Sequence, residues 1–204
     1  MQLRRIGIAG YMGAGKSACA GFLSEACRAY FDKVLIIDAD IEAKRLMLAD
    51  LSIKKKLADV FGTPFVRDGM IDFPKLGTLV FSNREHLRTL NRIVHPPLVA
   101  KLKELVFSGA ACSICDAALI PLWRVEAWFD ATVWVRASFE KRYERLSDKS
   151  LIAREELVAR MHLQQTLFEE PEAGPWAVIE NDGTLDELRK RTASFLKHTC
   201  MEKD

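Results

Sequence analysis

Residues 10–17 read Gly-Tyr-Met-Gly-Ala-Gly-Lys-Ser, the complete spacing G-x-x-x-x-G-K-[ST] of a phosphate-binding loop. Glycines let successive backbone N–H groups turn inward around an anion. Lys16 has the length to reach β- and γ-phosphates, and the Ser17 hydroxyl offers a hard oxygen ligand for Mg²⁺. Gly10, Gly13, Ala14, Gly15, Lys16, Ser17 and Ala18 therefore form the candidate nucleotide site. Such a loop works only between a strand and a helix. Leu3 to Ala9 is a short apolar run, and Ser17 to Arg28 holds no proline and a single glycine. The bland alternative, a glycine turn ahead of an ordinary helix, leaves this full spacing and both flanks unexplained.

The chain has 204 residues, enough for one α/β domain with an inserted helical lobe. Its hydrophobic content of 49% can fill a core, and its net charge of +2 gives no sign of a nucleic-acid partner. No apolar run reaches the length of a membrane span. Arg4 and Arg5 ahead of apolar residues mimic a secretion signal. Gly7, Gly10, Gly13, Gly15 and Lys16 interrupt it, so a cytoplasmic location is expected. The five cysteines, Cys19, Cys27, Cys112, Cys115 and Cys200, fit reduced thiols. Cys112 and Cys115 form C-x-x-C, but no second pair stands at metal spacing, so both are expected in the core.

Four further segments have strand character: Lys33 to Asp38, Cys112 to Asp116, Ala131 to Arg136 and Trp176 to Glu180. Helix-like sequence separates them, so the order β-α-β-α implies a largely parallel five-stranded sheet. Their near-continuous apolar character suits a sheet covered on both faces. The interval between the second and third strands is too long for one crossover helix. It divides into helices over Ile41–Ala49, Ser52–Phe61, Phe73–Phe81, Asn83–Val94 and Leu98–Phe107. His95-Pro96-Pro97 is expected to break the last two apart. The domain reading is a core of residues 1–40 and 111–204, an insertion at 41–110, and a lid at about 146–165.

Carboxylates and cations fall where phosphoryl transfer would use them. Asp38 and Asp40 close the second strand, so either could approach an acceptor hydroxyl, and Asp40 equally suits a helix N-cap. Asp116 closes the third strand, where a carboxylate can hold Mg²⁺. Its plain alternative is a strand-end acid satisfied by nearby N–H groups. Lys141, Arg142, Arg145, Lys149, Arg154 and Arg160 surround a polar break at Ser147 to Ser150, a pattern expected of a mobile lid. Most of these charges are expected on a solvated face, with a phosphate role for one or two.

Read in order, Gly10–Ser17, IIDAD at 36–40, VHPPL at 94–98, SICDAAL at 113–119, the arginine segment at 142–164 and VIENDG at 178–183 resemble the dephospho-coenzyme A kinase family over essentially the whole chain. The resemblance implies a three-layer α/β/α P-loop kinase with a helical substrate lobe and a lid. It implies ATP and Mg²⁺ as cofactors and dephospho-coenzyme A as the small-molecule acceptor, phosphorylated on its ribose 3′-hydroxyl. It also implies Asp40 as base, Arg145 as the lid arginine, Asn181 beside the adenine and His95 in the substrate lobe. Neither nucleic acid nor membrane is expected as a partner, and the oligomeric state stays open.

The chain departs from the family pattern at three places. Ala18 stands where a threonine is usual, removing one hydroxyl. Ala118-Leu119-Ile120-Pro121-Leu122 lacks the usual acid, and Lys149 replaces an arginine, losing bidentate geometry. A nucleoside or nucleotide monophosphate kinase is the nearest alternative, although the long helical interval and IDAD argue against it. A nucleotide-controlled regulatory module is a third reading. It lacks an N-K-x-D guanine-reading element, and its D-x-x-G, Asp59 to Gly62, closes a helix.

Overall fold

The computed structural model describes residues 3–63, 65–67, 70–81, 83–148, 152–171 and 174–201. Its elements are β1 (Arg5–Ala9), α1 (Lys16–Cys27), β2 (Val34–Asp38), α2 (Ala39–Ala49), α3 (Leu51–Phe61), β3 (Val66–Arg67), β4 (Met70–Ile71), α4 (Phe73–Phe81) and α5 (Arg84–Val106). There follow β5 (Cys112–Asp116), α6 (Ile120–Trp123), a 3₁₀ turn (Glu126–Trp128), β6 (Ala131–Arg136), α7 (Phe139–Ser147), α8 (Arg154–Gln165), β7 (Trp176–Glu180) and α9 (Leu185–Met201). They divide into two compact units, residues 1–38 with 106–204, and residues 39–105.

The first unit holds a five-stranded sheet in the order β2-β5-β1-β6-β7, parallel throughout. Every residue of β5 is buried, as are the four central residues of β6, so both faces are covered. On one face α1 packs against β2 and β5, and α9 packs against α1 and β7. There Ile6, Ile8, Leu23, Ile114, Val133, Val135 and Leu188 form one buried cluster. Register fixes the business end: Asp116 pairs with Ile8 on one side and with Asp38 on the other. The loop leaving β1 thus emerges beside two strand-end carboxylates, at the edge where ligands of open α/β sheets bind.

Cys112 and Cys115 lie in β5 at 0% and 2% exposure. Residues three apart on a strand point to opposite faces, so they cannot grip one metal ion. Among the described residues no group of three or more His, Cys, Asp or Glu could hold one. No helix among them is long and apolar enough to cross a membrane.

The second unit corrects three expectations. First, α5 runs unbroken from Arg84 to Val106 with Pro96 and Pro97 inside it. The prolines remove the N–H donors for the carbonyls of Arg92 and Ile93, yet proline's φ is itself helical. Leu87, Val94, Leu98 and Leu102 are all buried. Their spacing of seven, four and four keeps one stripe in phase across the break only if the helix continues. Second, α2 begins at Ala39, so Asp40 sits inside its first turn rather than at an N-cap ahead of it. The strand ends at Asp38, so Asp40 does not close it. Third, an antiparallel pair, β3 with β4, lies between α3 and α4. Two-residue strands are too short to show a period in the sequence. The expected end of α3 is observed: Asp50 caps it, accepting from the N–H groups of Ser52 (2.8 Å) and Ile53 (3.2 Å), and Gly62 stops it at φ 74°.

Candidate active site

The loop between β1 and α1 has the backbone its glycines imply. Gly13 and Gly15 have φ of 78° and 98°, in the left-handed region. They are also sterically confined. A Cβ on Gly13 would stand 2.7 Å from the Arg142 carbonyl oxygen, and one on Gly15 would strike the Asn181 side-chain nitrogen. The Ala14 N–H closes the turn onto the Tyr11 carbonyl at 3.1 Å. Gly15 is the N-cap of α1 and supplies no side-chain cap, and the first turn carries no acid. The opening N–H groups of α1, with the positive end of its dipole, are therefore presented to an anion.

Other groups converge on that nest. The Ser17 hydroxyl donates to Asp116 Oδ2 at 2.8 Å, and Asp116 is 7% exposed. Lys16 Nζ rests on the Tyr11 carbonyl at 3.4 Å. Arg145 reaches across from α7, with Nη1 3.4 Å from the carbonyls of both Gly13 and Ala14 and Nη2 2.6 Å from that of Asn181. Asn181, 4% exposed, donates from Nδ2 to the Ala14 carbonyl at 2.6 Å. The first unit thus gathers Gly10, Gly13, Ala14, Gly15, Lys16, Ser17, Ala18, Asp116, Arg145 and Asn181. Asp40 and His95 belong to the second unit. Burial of His95 pulls its pKa down to about 4, so its imidazole is neutral at neutral pH.

Sequence reading missed three contacts at this loop. Gln164 Oε1 accepts from the Met12 N–H at 2.6 Å. The Tyr11 hydroxyl donates to the Phe168 carbonyl at 3.3 Å, and its ring packs on Trp134 (5.3 Å) and Phe168 (5.5 Å). Arg142 is not on a solvated face but 2% exposed, its guanidinium 5.0 Å from the centre of the Tyr11 ring. The available signal was Tyr11 itself: a large ring inside a glycine loop needs a packing partner. Lys149 lies outside the described residues.

Comparison with known proteins agrees with this geometry. The family model for dephospho-CoA kinase matches residues 4–187. The chain belongs to the dephospho-CoA kinase family. It is accordingly a kinase, and the β1 loop is its nucleotide-binding loop. The dephospho-CoA kinase of Carboxydothermus hydrogenoformans is 32% identical over 197 residues, covering 94% of this chain and 92% of that protein. The crystal structure of TT1252 from Thermus thermophilus superposes with a TM-score of 0.71 at 29% identity, over 97% of this chain and 98% of that one. A dephospho-CoA kinase from Campylobacter jejuni shares the fold at a TM-score of 0.56 and 18% identity, over 97% of each chain.

Proposed function

We propose that the protein transfers the γ-phosphoryl group of ATP to the ribose 3′-hydroxyl of dephospho-coenzyme A, giving coenzyme A and ADP. The observation that carries this reading is the Ser17–Asp116 contact at the foot of a glycine nest, in a chain of this family. A hydroxyl and a carboxylate are hard oxygen donors that suit Mg²⁺, which takes only one or two protein ligands and fills its shell with phosphate oxygens and water. When bound, Mg²⁺ supplies charge neutralisation at the β- and γ-phosphates.

The remaining roles belong to side chains of this chain. Lys16 exchanges its long contact with the Tyr11 carbonyl for phosphate oxygens. Asp40 accepts the proton of the acceptor hydroxyl as its oxygen bonds to the γ-phosphorus and the bond to the β–γ bridging oxygen breaks. Arg145 offsets charge on the transferring group, and Asn181 anchors the loop on the adenine side. His95, neutral at working pH, offers a hydrogen bond rather than a charge to the acceptor. Residues 39–105 serve as the acceptor lobe and the segment at about 146–165 as a lid.

An ADP-release assay with Mg²⁺-ATP and four acceptors, dephospho-coenzyme A, AMP, CMP and uridine, tests the reading. Turnover is expected with dephospho-coenzyme A alone. Asp40→Asn is expected to lower kcat at least about 100-fold while ATP affinity stays intact. Turnover directed to AMP or CMP instead would overturn the assignment.

A further inference from the structure

Arg142 breaks an ordinary rule of protein interiors. Its side chain is 2% exposed, yet Nε and Nη1 have no hydrogen-bond partner among the described residues. Among the described residues no carboxylate pairs with it within 4 Å, Glu170 and Glu140 acting on it only at longer range, and its charge lies over two aromatic rings, Tyr11 at 5.0 Å and Phe139 at 5.5 Å. Burial holds the guanidinium pKa below its usual value, a measure of how poorly solvated the charge is. Replacing such a group by a packed apolar side chain is often neutral or stabilising. Fold stability therefore does not account for an arginine here, and rule-breaking of this kind concentrates at functional sites.

Its neighbours say which function. Tyr11 is the second residue of the phosphate loop, and its carbonyl receives both the Ala14 N–H and Lys16 Nζ. Trp134, Phe168 and the Phe168 carbonyl hold the rest of the Tyr11 side chain, leaving Arg142 to cover the ring. The backbone of Arg142 also closes on Gly13, where a Cβ would stand 3.0 Å from the Arg142 Cα. One residue of α7 thus confines the loop at two points, through a ring and through a glycine.

We infer that Arg142 is a positioning residue for nucleotide binding: stacked on Tyr11, it holds residues 10–13 in the shape that receives phosphate and keeps a positive charge beside them. The inference rests on the reading of this loop as the ATP site. A desolvated cation–π contact is worth roughly a tenfold change in an equilibrium constant. Calorimetric titration with Mg²⁺-ATP is the test, run on wild type, Arg142→Met, Arg142→Lys, Tyr11→Leu and the Arg142→Met/Tyr11→Leu pair. Arg142→Met is expected to raise the Kd for ATP about tenfold, with the KM for dephospho-coenzyme A unchanged and Tm equal or higher. Arg142→Lys should recover part of the affinity, and the pair should be no worse than Tyr11→Leu alone. An unchanged Kd in Arg142→Met with a fallen Tm would show a structural role and overturn the inference. Fully additive effects would overturn the route through Tyr11. Should Arg142→Met not fold, an unchanged Kd in Tyr11→Leu overturns it equally. Wild-type protein that binds no ATP overturns both this inference and the functional reading, whereas wild-type binding with indifferent variants overturns this inference alone.

Discussion

Asp130, just ahead of β6, ties two distant stretches of chain together. Its Oδ2 accepts from the N–H groups of Arg4 and Arg5 at 2.9 Å each, and its Oδ1 accepts from Arg5 Nη2 at 2.9 Å. Burial alone would raise its pKa, but the Arg5 side chain and the two amides outweigh it and hold the carboxyl below its usual value. Asp130→Ala leaves these donors unmet at the mouth of a central strand. It should lower unfolding free energy by about 2–3 kcal/mol in a urea titration while leaving substrate affinities unchanged. Lys16 is the opposite case. Its one hydrogen bond among the described residues is long and partly exposed, so Lys16→Ala should move stability by less than about 0.5 kcal/mol. Turnover with dephospho-coenzyme A should nonetheless fall at least about 100-fold, because charge stabilisation is the main work at such a site. The difference explains what was legible in the residues. Lys16 and Ser17 belong to a motif whose chemistry is local and contiguous. Asp130 takes its role from Arg4 and Arg5, and Arg142 its contact with the loop from Tyr11, more than a hundred residues away, and nothing beside them in the chain names those partners.

At the scale of elements, the five strands of the main sheet were readable because each is a compact apolar run, and β2, β5 and β7 each close on an acid. The α5 helix was not, because two adjacent prolines are a strong local stop signal and the stripe that overrides them is a packing effect. Val94 and Leu98 flank the pair and are both buried, which holds the two halves in one phase. The same burial acts on His95, midway along the helix, whose pKa falls from 6.5 to about 4. The unfolded chain therefore takes up this proton first as pH drops, and the unfolded state gains on the folded one between about pH 6.5 and 4. Stability attributable to a neutral His95 is present above that window and lost within it. His95→Gln removes the titration, so the fall in urea midpoint between pH 7 and pH 4.5 should be smaller than in wild type. An equal fall in both proteins would assign the acid sensitivity elsewhere.

At the scale of the whole molecule, burial decides the chemistry of the thiols. Cys19, Cys27 and Cys112 are 0% exposed and Cys115 is 2%, and burial pushes Cys19 and Cys115 up to about 12. A thiolate reagent should leave all four unmodified in the native protein and modify them in urea, as peptide mapping would show. Labelling of any of the four under native conditions would contradict this core. Taken by itself, the sequence determined the ligand class and the parallel sheet, because each rests on patterns contained within short stretches of chain. Only the tertiary structure decided that α5 continues through its prolines, that Asp40 opens a helix, and that a charged side chain of α7 is sealed beneath the phosphate loop. Those outcomes depend on which surfaces bury one another, a sum over distant residues that no short window of sequence contains.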